Sequence, residues 1–160
     1  MTGASDSYPS DNLYFYVELC VMSNKIVDLL HKAELRITRP RRDVLKILVE
    51  SGDQAISSSD IEHTLSGIDR ITLYRILKTF EESGLIHSVA DGSGKTKYAL
   101  CSHECTGGEH HDDHLHFYCR ICDTTTCLDK VRLPSVKLPV EYTVEEKRFV
   151  IAGICKDCHN

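Results

Sequence analysis

Residues 69–100 read DRITLYRILKTFEESGLIHSVADGSGKTKYAL, and this stretch decides the fold. Leu73, Leu77 and Phe80 recur at helical spacing, so a helix from about Arg70 to Ser83 carries one apolar face. Asp69 stands at its N-cap, and Gly84 occupies the C′ position where a left-handed residue ends a helix. Two short runs follow, LIHSV and KTKYAL, on either side of Asp91-Gly92-Ser93-Gly94. Strand-like runs flanking a Gly-rich turn predict a β-hairpin.

Upstream, Ser57 and Asp60 resemble a capping box. They open a short helix through Ile61 and Leu65 that Gly67 stops. Val44, Leu45, Leu48 and Val49 mark an earlier amphipathic helix, with Thr38 as N-cap, Pro40 in the first turn and Gly52 at its end. Ile26, Leu29, Leu30 and Ala33 place another between Asn24 and about Leu35. Helices followed by a hairpin in this order predict a winged helix-turn-helix over residues 24–100. Residues 1–23 start Ser/Asp-rich and show no periodicity, so a disordered extension is expected there.

Downstream, residues 101–113 lack periodicity and read as a hinge. HLHFYC, TTTCLD and KRFVIAGIC read as strands of a small second domain over 114–160. Pro134 and Pro139 leave room for only short helical content between them. The predicted class is α+β, a winged helix-turn-helix followed by a small α/β domain.

The 160 residues are 41% apolar and 27% charged, ordinary values for a globular protein. No run approaches the roughly 18 to 20 apolar residues of a membrane span. No basic segment followed by an apolar stretch opens the chain, so a cytoplasmic protein without a membrane partner is expected. In that reducing compartment eight cysteines point to metal or redox chemistry rather than disulfides. The net charge of −5 argues against a nucleic-acid partner until its distribution is read. Residues 24–98 carry twelve Lys/Arg against eleven Asp/Glu, with Arg36, Arg39, Arg41, Arg42 and Lys46 close together. A local basic patch suffices for phosphate contacts.

Cys119-x-x-Cys122 and Cys155-x-x-Cys158 lie 32 residues apart. Each C-x-x-C turn supplies one edge of a tetrahedron, and two together make the closed four-sulfur set of structural Zn²⁺. A thioredoxin-type site would need its C-x-x-C within a βαβ unit, and a zinc deaminase would need H-x-E with P-C-x-x-C; neither occurs. Four thiolates leave no open position for water, so the site is structural rather than catalytic. No nucleophile–base pair or phosphate-cradling Gly loop suggests an enzyme either.

GEHHDDHLHFYC precedes the first thiolate pair. His114 and His116 alternate along a predicted strand, share one face and can form half of a second metal site. His87 and Cys101, at the hairpin ends, are chemically suited to complete it, whereas Cys105 and Cys127 could replace Cys101 or be inert. A site drawing on the wing and the second domain would link their orientation to metal occupancy. On the Arg70–Ser83 helix, Arg70, Tyr74 and Lys78 follow an i, i+4 row with Thr72 and Arg75 beside it. That mixture suits phosphates, base edges and thymine methyls in a major groove.

With these residues in view the chain resembles the ferric uptake regulator (Fur) family over roughly residues 24–158. The resemblance rests on R-x-T-x-x-R-x-x-V-L from Arg36 to Leu45, T-L-Y-R-x-L from Thr72 to Leu77 with S-G-L-I, H-x-H-x-x-C-x-x-C and a closing G-I-C-x-x-C. It implies a homodimeric, metal-activated repressor that binds double-stranded operator DNA, with 114–160 as the dimerisation domain. Arg36, Tyr74 and Arg75 become the foremost candidates for DNA contact, with Arg70 and Thr72 beside them. Within the family, iron and peroxide sensors usually place a His near Ala55, and iron regulators a Glu at Ala99. The zinc uptake regulator (Zur) branch uses an acid or His on the first wing strand and a Cys after the second, which His87 and Cys101 match. The resemblance therefore implies structural Zn²⁺ plus a regulatory metal at His87, Cys101, His114 and His116. One thiolate among imidazoles suits Zn²⁺, with Fe²⁺ or Mn²⁺, and an iron or peroxide sensor, as alternatives. Pro134 and Lys147 occupy the places of the ligands to the family's additional site, so that site is not expected.

Overall fold

A computed structural model describes residues 11–101, 114–131, 133–145 and 147–159. Its elements run α1 (Asp11–Lys32), α2 (Arg39–Glu50), β1 (Gln54–Ser57), α3 (Ser58–Thr64), α4 (Arg70–Glu82), β2 (Ile86–Ala90), β3 (Thr96–Leu100), β4 (Leu115–Cys119), β5 (Thr125–Leu128) and β6 (Val150–Gly153).

The helices end where local chemistry directs. Ser57 Oγ accepts from the Asp60 N–H at 3.2 Å, and Asp69 Oδ1 accepts from the N–H groups of Ile71 and Thr72 at 2.9 and 3.2 Å. Thr38 caps α2 by its backbone conformation alone, without a side-chain bond. At the end of α4 the Leu85 N–H reaches the Phe80 carbonyl and the Gly84 N–H that of Glu81, a Schellman closure. It requires φ of +72° at residue 84, which glycine adopts without cost. Helix α1 ends the same way with Glu34 at φ +55°. It begins at Asp11 and not at Asn24, which corrects the expectation of a disordered 1–23 for residues 11–23. No Gly or Pro interrupts the chain from Ser10 to Thr38, so backbone propensity carries the helix past the weak periodicity.

Ile26 and Leu30 of α1, Val44, Leu45 and Leu48 of α2, Ile61 of α3, and Leu73, Leu77 and Phe80 of α4 form one core, closed below by Ile86. Against it lies a six-stranded sheet in the order β2-β3-β1-β5-β4-β6. Strand β1 is the piece that the sequence pattern does not announce. It pairs antiparallel with β3, setting Ile56 opposite Tyr98, and on its other edge with β5, setting Ala55 opposite Thr125. The wing hairpin and the strands after residue 114 therefore share one sheet, joined at β1. Four residues between Gly52 and a helix cap are too few to display an alternation.

Among the described residues no helix follows Glu82, and those between Leu128 and Val150 form no helix or strand. The expected hinge is described only at Cys101, and 102–113, including Cys105, lie outside the described residues.

Candidate metal centres and nucleic-acid interface

Strand β6 runs parallel to β4, with Cys119 opposite Gly153. That register carries the chain after Gly153 directly to the turn after Cys119. A Cβ on Gly153 would meet the Phe117 ring at 3.1 Å, so the close approach relies on glycine here. The first turn is tight: the Asp123 N–H bonds the Cys119 carbonyl at 3.0 Å and the Cys119 N–H that of Thr124 at 2.9 Å, with Asp123 at φ +60°. Cys158 N–H closes the second turn on the Cys155 carbonyl at 3.1 Å. The sulfurs of Cys119, Cys122, Cys155 and Cys158 all lie within 4.8 Å of one another. Those of Cys122 and Cys155 are 3.8 Å apart.

Backbone N–H groups of Cys122 and Cys155 aimed at Cys119 pull its thiol down to about 6. A hydrogen bond from Thr124 lowers Cys122, while the neighbouring thiol of Cys155, burial and the other cysteines push Cys158 up to about 12. Four sulfurs this close cannot all ionise by themselves, because each thiolate disfavours the next. A cation resolves the conflict, and amides already pointed at sulfur favour the thiolate state it needs.

The second cluster is built across three strands. His87 of β2, His116 of β4, Cys127 of β5 and His114 just before β4 place their ligand atoms within 4.8 Å of one another, and all four are buried. His116 and Cys127 are direct cross-strand partners. The Nε2 atoms of His87 and His116 are 3.1 Å apart, and Cys127 Sγ lies 3.7 Å from the same nitrogen of His87. His114 Nε2 is buried without a hydrogen-bond partner; Asp129 Oδ1, at 3.9 Å, is beyond bonding reach. Leaving such a nitrogen unpaired costs about 1–3 kcal/mol. An imidazole with an unpaired buried nitrogen, packed against two more imidazoles and gathered with a thiol, fits a metal ion.

Cys101 departs from the sequence expectation. Its sulfur lies 3.6 Å from His87 Nδ1, the ring nitrogen opposite the one that faces His116 and Cys127. It stands behind the ligand, where a partner fixes which nitrogen is free to bind metal. Cys127 takes the place expected of Cys101. The physical reason is register: pairing with His116 sets Cys127 inside the cluster, and register is what the sequence does not display. The alternation of TTTC beside H-x-H was the available signal. Cys101, Cys127 and Asp129 line a cavity of about 250 Å³ next to the cluster.

On α4, Arg70, Tyr74 and Arg75 are exposed and Thr72 is half-buried, while Leu73, Ile76, Leu77 and Phe80 face the core. Arg70 Nε pairs with Glu62 Oε2 of α3 at 3.2 Å, and the Thr72 hydroxyl donates to the Asp69 carboxylate, so both are partly engaged. Ile71, on the same helix, is 64% exposed, an uncovered apolar side chain that the sequence pattern does not single out. Arg36 is exposed in the α1–α2 turn, and its carbonyl accepts from Arg41 Nη1 at 3.0 Å.

No helix of the described residues is long and apolar enough to cross a membrane. The chain is 28% identical over 144 residues to the ferric uptake regulation protein of Staphylococcus aureus, covering 86% of this chain and 98% of that one. It is 26% identical over 137 residues to that of Neisseria gonorrhoeae, covering 81% and 90%. Its fold matches a zinc uptake regulator complexed with zinc and DNA at a TM-score of 0.58 and 20% identity, covering 88% and 93%. The ferric uptake regulator of Vibrio cholerae matches at 0.53 and 22%, covering 79% and 96%. The model of the ferric uptake regulator family matches residues 32–154. By the extent of that match, the chain belongs to the ferric uptake regulator family, a family of regulators rather than enzymes.

Proposed function

We propose that this chain is a zinc-sensing, DNA-binding repressor of metal-uptake genes. The observation that carries the proposal is the buried cluster of His87, His114, His116 and Cys127. Three imidazoles and one thiolate form a soft, four-donor set that suits Zn²⁺ better than the harder Fe²⁺ or Mn²⁺. A zinc ion bound there supplies the positive charge that lets the four side chains converge. The chain's own contribution is positional: His87 belongs to the wing, His116 and Cys127 to the strands beyond it. Holding them together fixes the wing, and with it the exposed face of α4, for the major groove. Arg36, Arg70, Thr72, Tyr74 and Arg75 are the DNA contacts of this reading. The four cysteines hold a structural Zn²⁺.

The partner in solution is a second copy of the chain. Val136, Leu138, Val140, Tyr142 and Val144 are all exposed, as are Ile151 and Ile154. That much uncovered apolar surface within one stretch of a small domain supports a homodimer over 114–160, with 24–100 as the DNA-binding part.

The test is operator-fragment binding by fluorescence anisotropy at buffered metal activity. Zn²⁺ is expected to tighten binding, and Arg75→Ala to weaken the zinc-loaded complex by about 1–3 kcal/mol. A response to Fe²⁺ or Mn²⁺ with none to Zn²⁺ would favour an iron- or peroxide-sensing regulator and sink the zinc reading.

A further inference from the structure

Lys97 of β3 is only 4% exposed, yet its ammonium is fully bonded. Its three donors meet Asp91 Oδ2 at 2.8 Å, Thr125 Oγ1 at 3.0 Å and the Asp123 carbonyl at 2.5 Å. The Tyr118 ring lies beneath it, 4.9 Å from the nitrogen to the ring centroid. Asp91, fully buried at its side chain, also accepts from the Ser93 N–H at 2.8 Å and from the Thr125 hydroxyl. Burial alone would push the Asp91 carboxyl up. The hydrogen bonds from Lys97, Ser93 and Thr125 prevail and hold it well below the usual carboxylate range.

Asp91 and Lys97 both belong to the wing hairpin, and the pair could have closed within it. Instead Lys97 reaches beyond it, with one donor on Thr125 at the start of β5 and one on the Asp123 carbonyl in the turn between β4 and β5. That is the turn that sets Cys119 and Cys122: Asp123 follows Cys122 directly, at φ +60°, and its carboxylate accepts from the Tyr118 hydroxyl at 2.7 Å. Lys95 reaches the other oxygen of Asp123 at 3.6 Å. Two lysines of the wing thus bear on the one residue that shapes the first C-x-x-C turn.

We infer that Lys97 is a positioning residue that fastens the wing hairpin to the Cys119–Cys122 turn, so that the metal state of the four-cysteine cluster is felt in the wing. The inference rests on the four cysteines holding a metal, and is independent of the regulatory metal and of DNA. Under it the four-cysteine cluster is more than a brace for its own strands. The alternative is that apolar packing of Ala55, Val89, Ala99 and Cys127 holds the wing without Lys97.

The test compares full-length, zinc-loaded protein in two backgrounds, the native one and Asp91→Asn with Lys97→Met. The paired substitution is used because Lys97→Met alone would strand a buried carboxylate, whereas the paired change leaves no buried charge without its partner. Cys122→Ser is placed in each, and amide hydrogen exchange is followed across residues 88–98. In the native background Cys122→Ser should quicken exchange there roughly tenfold more than it does in the neutral background. Equal quickening in both backgrounds, or none in either, overturns the inference. A zinc-loaded protein that ignores operator DNA would sink the function proposed above and leave this exchange comparison readable.

Discussion

The two ligand clusters of this protein differ in how their residues are brought together. The four-cysteine cluster is local: two turns, each closed by its own backbone bonds, meet because β6 lies beside β4. The His87–His114–His116–Cys127 cluster is distributed: its ligands come from β2, β4, β5 and the residue before β4, and they converge only when the whole sheet is in register. A local cluster makes a clasp, whose occupancy decides whether its strands stay folded. A distributed cluster makes a sensor, because its occupancy reports on and reinforces the relation between parts of the fold.

The sharpest way to break that comparison is to remove one ligand from each side. Cys155→Ser should cost the most. Loss of a structural zinc removes folding free energy outright, so the thermal midpoint should fall by on the order of 10 °C or more, read by calorimetry. A protein that melts as before would show that the four cysteines are no clasp. Cys127→Ser should leave the fold near intact but lower metal affinity at the buried cluster by more than about 100-fold, beyond the range of outer-shell changes. Cobalt substitution reads this directly, as loss of the sulfur-to-metal absorption contributed by the second cluster.

Cys101→Ser sharpens the contrast further. Standing behind His87, it should lower affinity by about 10–100-fold while the cobalt spectrum keeps its thiolate contribution. If Cys101→Ser removes that absorption and Cys127→Ser does not, the two cysteines exchange roles. The smallest expected effect concerns the Asp91–Lys97 pair between the clusters. The folded carboxyl lies below its unfolded value near ~3.9, so its stabilisation is complete above that value and lost as pH falls through the folded one. Between pH 8 and pH 5 the difference in melting temperature between native protein and the paired Asp91→Asn, Lys97→Met variant should therefore stay constant. A difference that shrinks across that window would show the carboxyl is not held down.

What could be read from the sequence follows the same division. Capped helices, the hairpin and the two C-x-x-C turns are encoded within a few residues of themselves, so Asp69, Gly84 and the cysteine spacing suffice to place them. His114 and His116 are legible because alternation is a local property. Cys127 is not, because its role depends on standing opposite His116, and no residue near it states that register. Strand β1 fails to show for a related reason: its four residues owe their conformation to β3 on one side and β5 on the other. The start of α1 does not show in apolar periodicity, because an uninterrupted run of helix-compatible residues carries the helix there.

Strand β1 has a geometric consequence for the assembled protein. Being bonded along both edges, it ties the hairpin beside α4 to the strands beyond Leu115 whenever the whole sheet is in register. In a two-fold dimer joined through those strands, the distance between the two copies of α4 would then be a fixed length. Four residues would then act as a ruler, and the interval between half-sites in a matching operator would be its reading.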